Sequence, residues 1–313
     1  MAIVRNALLV VAALAAGTFQ PPAQDQLQLT YLGAAGWEMT DGKTVVLVDP
    51  YLTRAKYGTP IDAVSPTDSR PTVGNSTIVL PDTATIDKYI TRANVILVTH
   101  THPDHALDVP YIATKTGGVV VGTESTANLA RASGVPEAQL RIVSGREELT
   151  VAGVSVRVIP SRHGIFRRPS NPDAPPPVPP TIPRDIKPPF RYADHAEGGT
   201  LAYLIRLAGH ELIVFGSMNF IESEITGLRP DIALVGGMPE RANIDDYTGR
   251  ILRALGRPRT IVPTHWDQFN VPYGFSQKHA VDRLQSFVAE IHAVSPQARV
   301  IVPEHFKPIA IGR

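Results

Sequence analysis

The stretch His100-Thr101-His102-Pro103-Asp104-His105 packs three imidazoles and one carboxylate into six consecutive positions. His100 and His102 stand at i and i+2, so on an extended backbone both rings point to one side and can share an ion. Pro103 then turns the chain, which lets Asp104 and His105 face a second ion at the start of a following helix. Nitrogen and oxygen donors of this kind suit zinc, and a catalytic zinc keeps one position open for water. A lone histidine at a strand end is an ordinary hydrogen-bonded residue; three with an aspartate in so short a run read as a metal centre. Cysteine is absent, which excludes disulfides, thiolate nucleophiles and Cys-ligated zinc.

The cluster needs rigid elements to hold it. Residues 94–99 read as a buried strand running directly into His100. Further strands are expected at 27–32, 44–48, 119–122, 155–159, 200–207, 211–215, 231–235, 259–262 and 299–302. Helices are expected at 83–92, 106–114, 125–133, 243–255 and 278–294. In the last of these, Val281, Leu284, Phe287, Val288 and Ile291 repeat at helical spacing, the mark of a core-facing stripe. Strands come in hairpin-like groups and then alternate with helices, and that order returns in the second half. The pattern is that of an α/β sandwich, two packed sheets with helices outside.

The 313 residues carry a net charge of +1, which offers no electrostatic reason to expect nucleic acid or an acidic membrane surface as partner. Residues 1–23 read as a signal peptide: Arg5 precedes the apolar run 7–16, and Ala13 and Ala15 fit a cleavage site. The competing reading is a buried N-terminal helix. Export would make the protein periplasmic or secreted, with no stable membrane anchor, and 24–313 would be a single domain. Within it, 169–189 is so rich in proline that it must run as an extended loop, either a cover over the site or a tether. Residues 53–81 form a second irregular stretch, a candidate rim loop.

The motif His-x-His-x-Asp-His after a strand resembles the signature of the metallo-β-lactamase superfamily, from about Leu27 to the C-terminus. That resemblance implies an αβ/βα four-layer sandwich with metals in a cleft at one edge of the sheets. It also implies further ligands. His163, in Ser161-Arg162-His163-Gly164, matches the third histidine of the first metal, and His265, in Pro263-Thr264-His265-Trp266, the late histidine of the second. Many relatives carry a bridging Asp where Ser217 stands here, in Phe215-Gly216-Ser217-Met218-Asn219. The first metal would then rest on His100, His102 and His163, and the second on Asp104, His105 and His265. Glu222 or Glu224 are the nearest carboxylates that could replace the missing one. Asp49, in Val48-Asp49-Pro50, falls where relatives hold an acidic residue that orients a ligand; it is equally a turn-initiating Asp before Pro. The runs Tyr31-Leu32-Gly33-Ala34-Ala35-Gly36-Trp37 and Asp49-Pro50-Tyr51-Leu52 look most like the ascorbate-phosphate-lactonase-like branch, where the Ala34 position is often His.

Of the other histidines, His210 reads as a solvated turn residue, His279 and His292 lie off the apolar stripe of their helix, and His305 has no partner pattern. His195 follows the proline-rich stretch and can line a substrate pocket. Asn219 and Tyr192 are positions from which an oxyanion hydrogen bond can come. The expected activity is hydrolysis of a small ester, lactone or related amide by metal-bound hydroxide, with one or two zinc ions and with Asp104 and His105 catalytic. The alternatives are a β-lactamase, a phosphodiesterase-like hydrolase, and a metal-binding scaffold without catalysis. The partner is a small-molecule substrate, and oligomeric state is open.

Overall fold

The computed structural model of the chain describes residues 26–57, 67–165 and 180–312. The expected signal peptide, 1–23, and residues 169–179 of the proline-rich stretch lie outside them.

Three strands open the fold in antiparallel order: β1 (Leu27–Gly33), β2 (Gly36–Thr40) and β3 (Val45–Val48). Parallel strands β4 (Val95–Leu97), β5 (Val119–Gly122) and β6 (Leu140–Ile142) extend the sheet. Between them run helices α1 (Thr83–Tyr89), α2 (Pro103–Ala106), α3 (Val109–Thr116) and α4 (Glu124–Ala132). The second half repeats the plan. Strands β7 (Glu148–Val151), β8 (Val154–Pro160), β9 (Leu201–Leu207) and β10 (His210–Phe215) are antiparallel. Then β11 (Ile232–Gly236), β12 (Thr260–Thr264) and β13 (Arg299–Val300) add in parallel, with helices α5 (Glu222–Ile225), α6 (Tyr247–Ala254) and α7 (Lys278–Val294) between. A last strand, β14 (Ile309–Ile311), returns to pair with β1, so among the described residues each sheet has seven strands.

Period-two alternation explains the layering. In β3, Val46 and Val48 join the core between the sheets, whereas Leu47 joins the apolar layer under α1, α3 and α4. Val95 and Leu97 of β4 likewise face the second sheet, and Ile96 faces the helices. A parallel strand covered on both faces must be apolar throughout, and every residue of β3 and β4 is buried. Across the second sheet, Leu284, Phe287 and Ile291 of α7 and Ile251 of α6 close the outer layer. The result is the four-layer αβ/βα sandwich.

Four expectations change. The single helix at 106–114 is two, α2 and α3, because Pro103 and Pro110 each start a helix and the second could not continue the first without losing a backbone donor. Strands β2, β6, β7 and β14 escape sequence reading; β6 and β7 are short sheet edges with largely exposed side chains, so no apolar pattern marks them. The β1–β2 hairpin turns on Ala34, which holds φ 50°, a conformation its residue type does not announce. His210 is not a solvated turn residue: it begins β10 and is buried.

Candidate metal centre

Strands β8, β10, β11 and β12 run in one direction, as do β3, β4 and β5, so their C-terminal ends open along a common edge. Each candidate ligand follows such an end: His100 and His102 after β4, His163 after β8, His265 after β12, and Asp104 and His105 in α2. The two sheets are tied at this edge by backbone hydrogen bonds, Leu201 N–H to the Thr99 carbonyl at 2.8 Å and His265 N–H to that of Ala34 at 2.8 Å. Trp37 Nε1 also donates to Thr264 Oγ1 at 2.9 Å. Gly216 permits this approach: a Cβ there would lie 2.0 Å from Thr99 Oγ1.

The side chains gather into two triads. His100, His102 and His163 bring ligand atoms within 4.8 Å of one another, and so do Asp104, His105 and His265. The ring centroids of His100 and His105 are only 3.8 Å apart, so the triads adjoin. Asp104 Oδ2 lies 3.4 Å from His105 Nε2 and 3.2 Å from His265 Nε2. Asp49 stands behind them and is buried, its φ at 42°. It accepts from Thr99 N–H at 2.7 Å and Thr99 Oγ1 at 2.5 Å, and its Oδ2 is 2.8 Å from His105 Nδ1. It therefore fixes the His105 ring and aims Nε2 at Asp104, the orienting role rather than a turn alone.

The charges suit a cation. Burial, then His163, lowers His102 to about 4, and burial also lowers His100 and His163, so all three rings are neutral donors at pH 7. Burial pushes the Asp104 carboxyl up, but the His105 and His265 side chains outweigh it and hold it well below the usual carboxylate range. Burial likewise opposes charge on His105, yet Asp104 and Asp49 raise it to about 10. A proton on His105 thus sits between the Asp104 and Asp49 carboxylates and offsets part of their charge, a role a metal beside Nε2 would take over. The clearest sign of fit is His100 Nε2, buried with no hydrogen-bond partner among the described residues while Nδ1 sits 3.2 Å from Thr99 Oγ1. Orphaned buried nitrogens are costly unless something completes them.

Other candidates sort differently. Ser217 is buried and its Oγ accepts from Gly164 N–H at 2.8 Å, so it supports the loop of His163 and belongs to neither triad. Asn219 is partly committed to the backbone: its Nδ2 donates to the His163 carbonyl at 3.0 Å and its Oδ1 accepts from Phe220 N–H at 2.9 Å. Glu222 and Glu224 are paired with Arg250 and Arg146, away from the triads. His195 is buried outside both triads, with Nδ1 3.4 Å from the Arg191 carbonyl. Tyr192 stacks on Tyr57, centroids 4.0 Å apart, and burial and then the Asp104 carboxylate push its hydroxyl far up. Sequence reading missed Phe269, edge-on to His265 at 5.0 Å, and the buried pair Arg54 and Asp267 with the half-buried His305. Trp266-Asp267 directly after a ligand histidine was the available signal.

The model of the beta-lactamase superfamily domain matches residues 28–265. A UPF0173 metal-dependent hydrolase of Symbiobacterium thermophilum is 26% identical over 258 residues, which cover 78% of this chain and 86% of that protein. Among solved structures, Igni18, a metallo hydrolase from the archaeon Ignicoccus hospitalis, superposes with a TM-score of 0.54 at 16% identity, covering 92% of this chain and 99% of its own. CmlA, a diiron β-hydroxylase from Streptomyces venezuelae, gives 0.54 at 16% identity, over 93% of this chain and 55% of its own. These two likenesses bear on the fold.

Proposed function

Because this chain belongs to the metallo-β-lactamase superfamily and is a metal-dependent hydrolase, we propose that it cleaves a small ester, lactone or related amide with zinc held by the two triads. The observation that carries the reading is the pair of adjoining three-residue ligand sets with His100 Nε2 left unpartnered between them. Five imidazoles and one carboxylate form a nitrogen-rich set that favours zinc over harder ions. The β-hydroxylase with its two irons makes metal analysis the first measurement.

Bound zinc supplies a Lewis acid and lowers the pKa of a coordinated water to about 7. The chain's own residues do the rest. Asp104 stays ionised beside the two rings that hold it and would orient the attacking water through its carboxylate. Tyr192 stays protonated and is the hydroxyl donor for a carbonyl oxygen. Beside them Ala34, Tyr51, Val79 and Leu107 form a small apolar cluster against which Tyr192 and Phe269 pack. Such a wall favours an uncharged substrate body over a phosphodiester. Export to the periplasm or beyond is part of the proposal and rests on the N-terminal segment of the sequence.

A β-lactam is the second reading, favoured by Ser217 in place of a bridging carboxylate. Zinc-loaded protein assayed on ester, lactone and chromogenic cephalosporin panels separates the two by which bond is cut. His102→Ala removes one of three ligands of the first triad and is expected to abolish turnover; retained turnover refutes the site.

A further inference from the structure

Behind His265 lies a knot of buried charge that contains none of the six ligands. Asp267 is fully buried, and its Oδ1 accepts from Ala34 N–H at 2.9 Å and the Tyr31 hydroxyl at 3.0 Å. Its Oδ2 meets Arg54 Nη2 at 2.9 Å and His305 Nε2 at 2.8 Å. Arg54, also buried, donates Nε to the Val271 carbonyl at 2.5 Å and Nη2 to that of Gln268, both in the loop that follows His265.

Two threads of this knot, from Asp267 and from Tyr31, meet at the backbone of Ala34. The Ala34 carbonyl accepts the His265 N–H at 2.8 Å and the Tyr31 hydroxyl at 2.8 Å, while the N–H of the same residue is held by Asp267. His265, Ala34 and Arg54 all sit in the left-handed region, with φ of 47°, 50° and 50°. Non-glycine residues remain there only where their surroundings over-determine them. A buried ion pair contributes little net stability once its desolvation is counted. The geometry assigns it another task, which is to set the backbone of one ligand.

We propose that Asp267, with Arg54 and His305, is a positioning device for the second triad: it presets His265, and the affinity of that triad for its ion depends on it separately from the first triad. The proposal rests on the reading that the triads hold metal. Selectivity follows from the contacts. His100 is braced by Thr99, and His163 leans on the Gly164 carbonyl, so neither ring is bonded to the knot. With Ser217 where a bridging carboxylate would stand, the second ion has one carboxylate and depends more on preset geometry. Gly33 shows how closely the knot is packed: its φ is 94°, and a Cβ there would lie 3.2 Å from Asp267 Oδ2 and 3.3 Å from His305 Nε2.

The test measures zinc per chain, and the affinity of each equivalent by chelator competition, on the full chain. Asp267→Asn is isosteric, and its amide N–H would face Arg54 and His305 where an acceptor now stands. The expected result is an unchanged first equivalent and a second one weakened on the order of 10- to 100-fold. His305→Gln keeps a donor and is expected to stay near wild type, whereas His305→Leu should weaken the second equivalent alone. Cobalt absorption gives the same split without turnover. Unchanged affinity for both ions in folded Asp267→Asn overturns the proposal, and so does an equal loss of both, which is what a merely structural role gives. If circular dichroism shows Asp267→Asn unfolded, His305→Leu carries the same two outcomes. Wild-type protein that binds no zinc, or one equivalent at saturation, also overturns it; binding none sinks the metal reading as well, before any substitution is made.

Discussion

Acidification strips the two triads unequally. A ligand imidazole must lose its proton to bind, so a proton competes with metal wherever the ring titrates above the working pH. His105 is raised to about 10, with Asp104 and Asp49 outweighing its burial, so between pH 6 and 8 it is protonated in the metal-free protein. Each unit of pH then changes the affinity of the second triad tenfold, or about 1.36 kcal/mol. Over the two units this amounts to about 100-fold, ~2.7 kcal/mol, with binding tighter at pH 8. The first triad behaves otherwise: His102 is lowered to about 4, and His100 and His163 are lowered too, so its affinity changes less over the same range. In the metal-free protein the His105 contribution to stability is complete below its ordinary value of 6.5 and fades as the pH rises through about 10. Chelator competition at pH 6, 7 and 8 reads both slopes, and calorimetry in two buffers is expected to count more protons released with the second ion than with the first. Equal slopes, or a slope on the first ion alone, refute the electrostatic account of the site.

Three substitutions probe the surroundings. Asp49→Ala leaves the Thr99 N–H, its hydroxyl and His105 Nδ1 without their buried acceptor; chemical denaturation is expected to show a loss of about 1–3 kcal/mol for each donor left unsatisfied, and metal analysis a weaker second ion. Phe287→Ala opens a cavity under α7 and is expected to cost about 3–5 kcal/mol by urea unfolding. Tyr192→Phe keeps the stack on Tyr57 and removes only the hydroxyl; a fall in kcat on the order of 100-fold is expected, and an unchanged kcat places carbonyl polarisation elsewhere.

The clustering of the six candidate ligands was legible because chemistry and spacing coincide at them: His100 to His105 follow an apolar strand, and His163 and His265 each follow another strand end. α7 was legible to the residue because Leu284, Phe287 and Ile291 keep helical period over its whole length. What stayed hidden depends on distant pairing. His305 shows no partner in its own neighbourhood because its partner, Asp267, is far along the chain, and the Arg54 that completes the knot is more distant still. The backbone bonds of Asn219 were hidden too, since sequence position does not show that its amide reaches the His163 carbonyl and Phe220 N–H.

Each triad draws two ligands from the loop of the first sheet and one from the second: His100 and His102 with His163, and Asp104 and His105 with His265. An ion seated in either is therefore a gauge of the spacing between the layers. Substitutions in the shared core that swell or shrink this gap by a fraction of an ångström would register as altered metal affinity at the rim, with no ligand touched. The sandwich and its cofactor are in that sense tuned together, and packing residues such as Tyr203, whose hydroxyl reaches the Val98 carbonyl of the other layer at 2.7 Å, belong to the metal chemistry as much as to the fold.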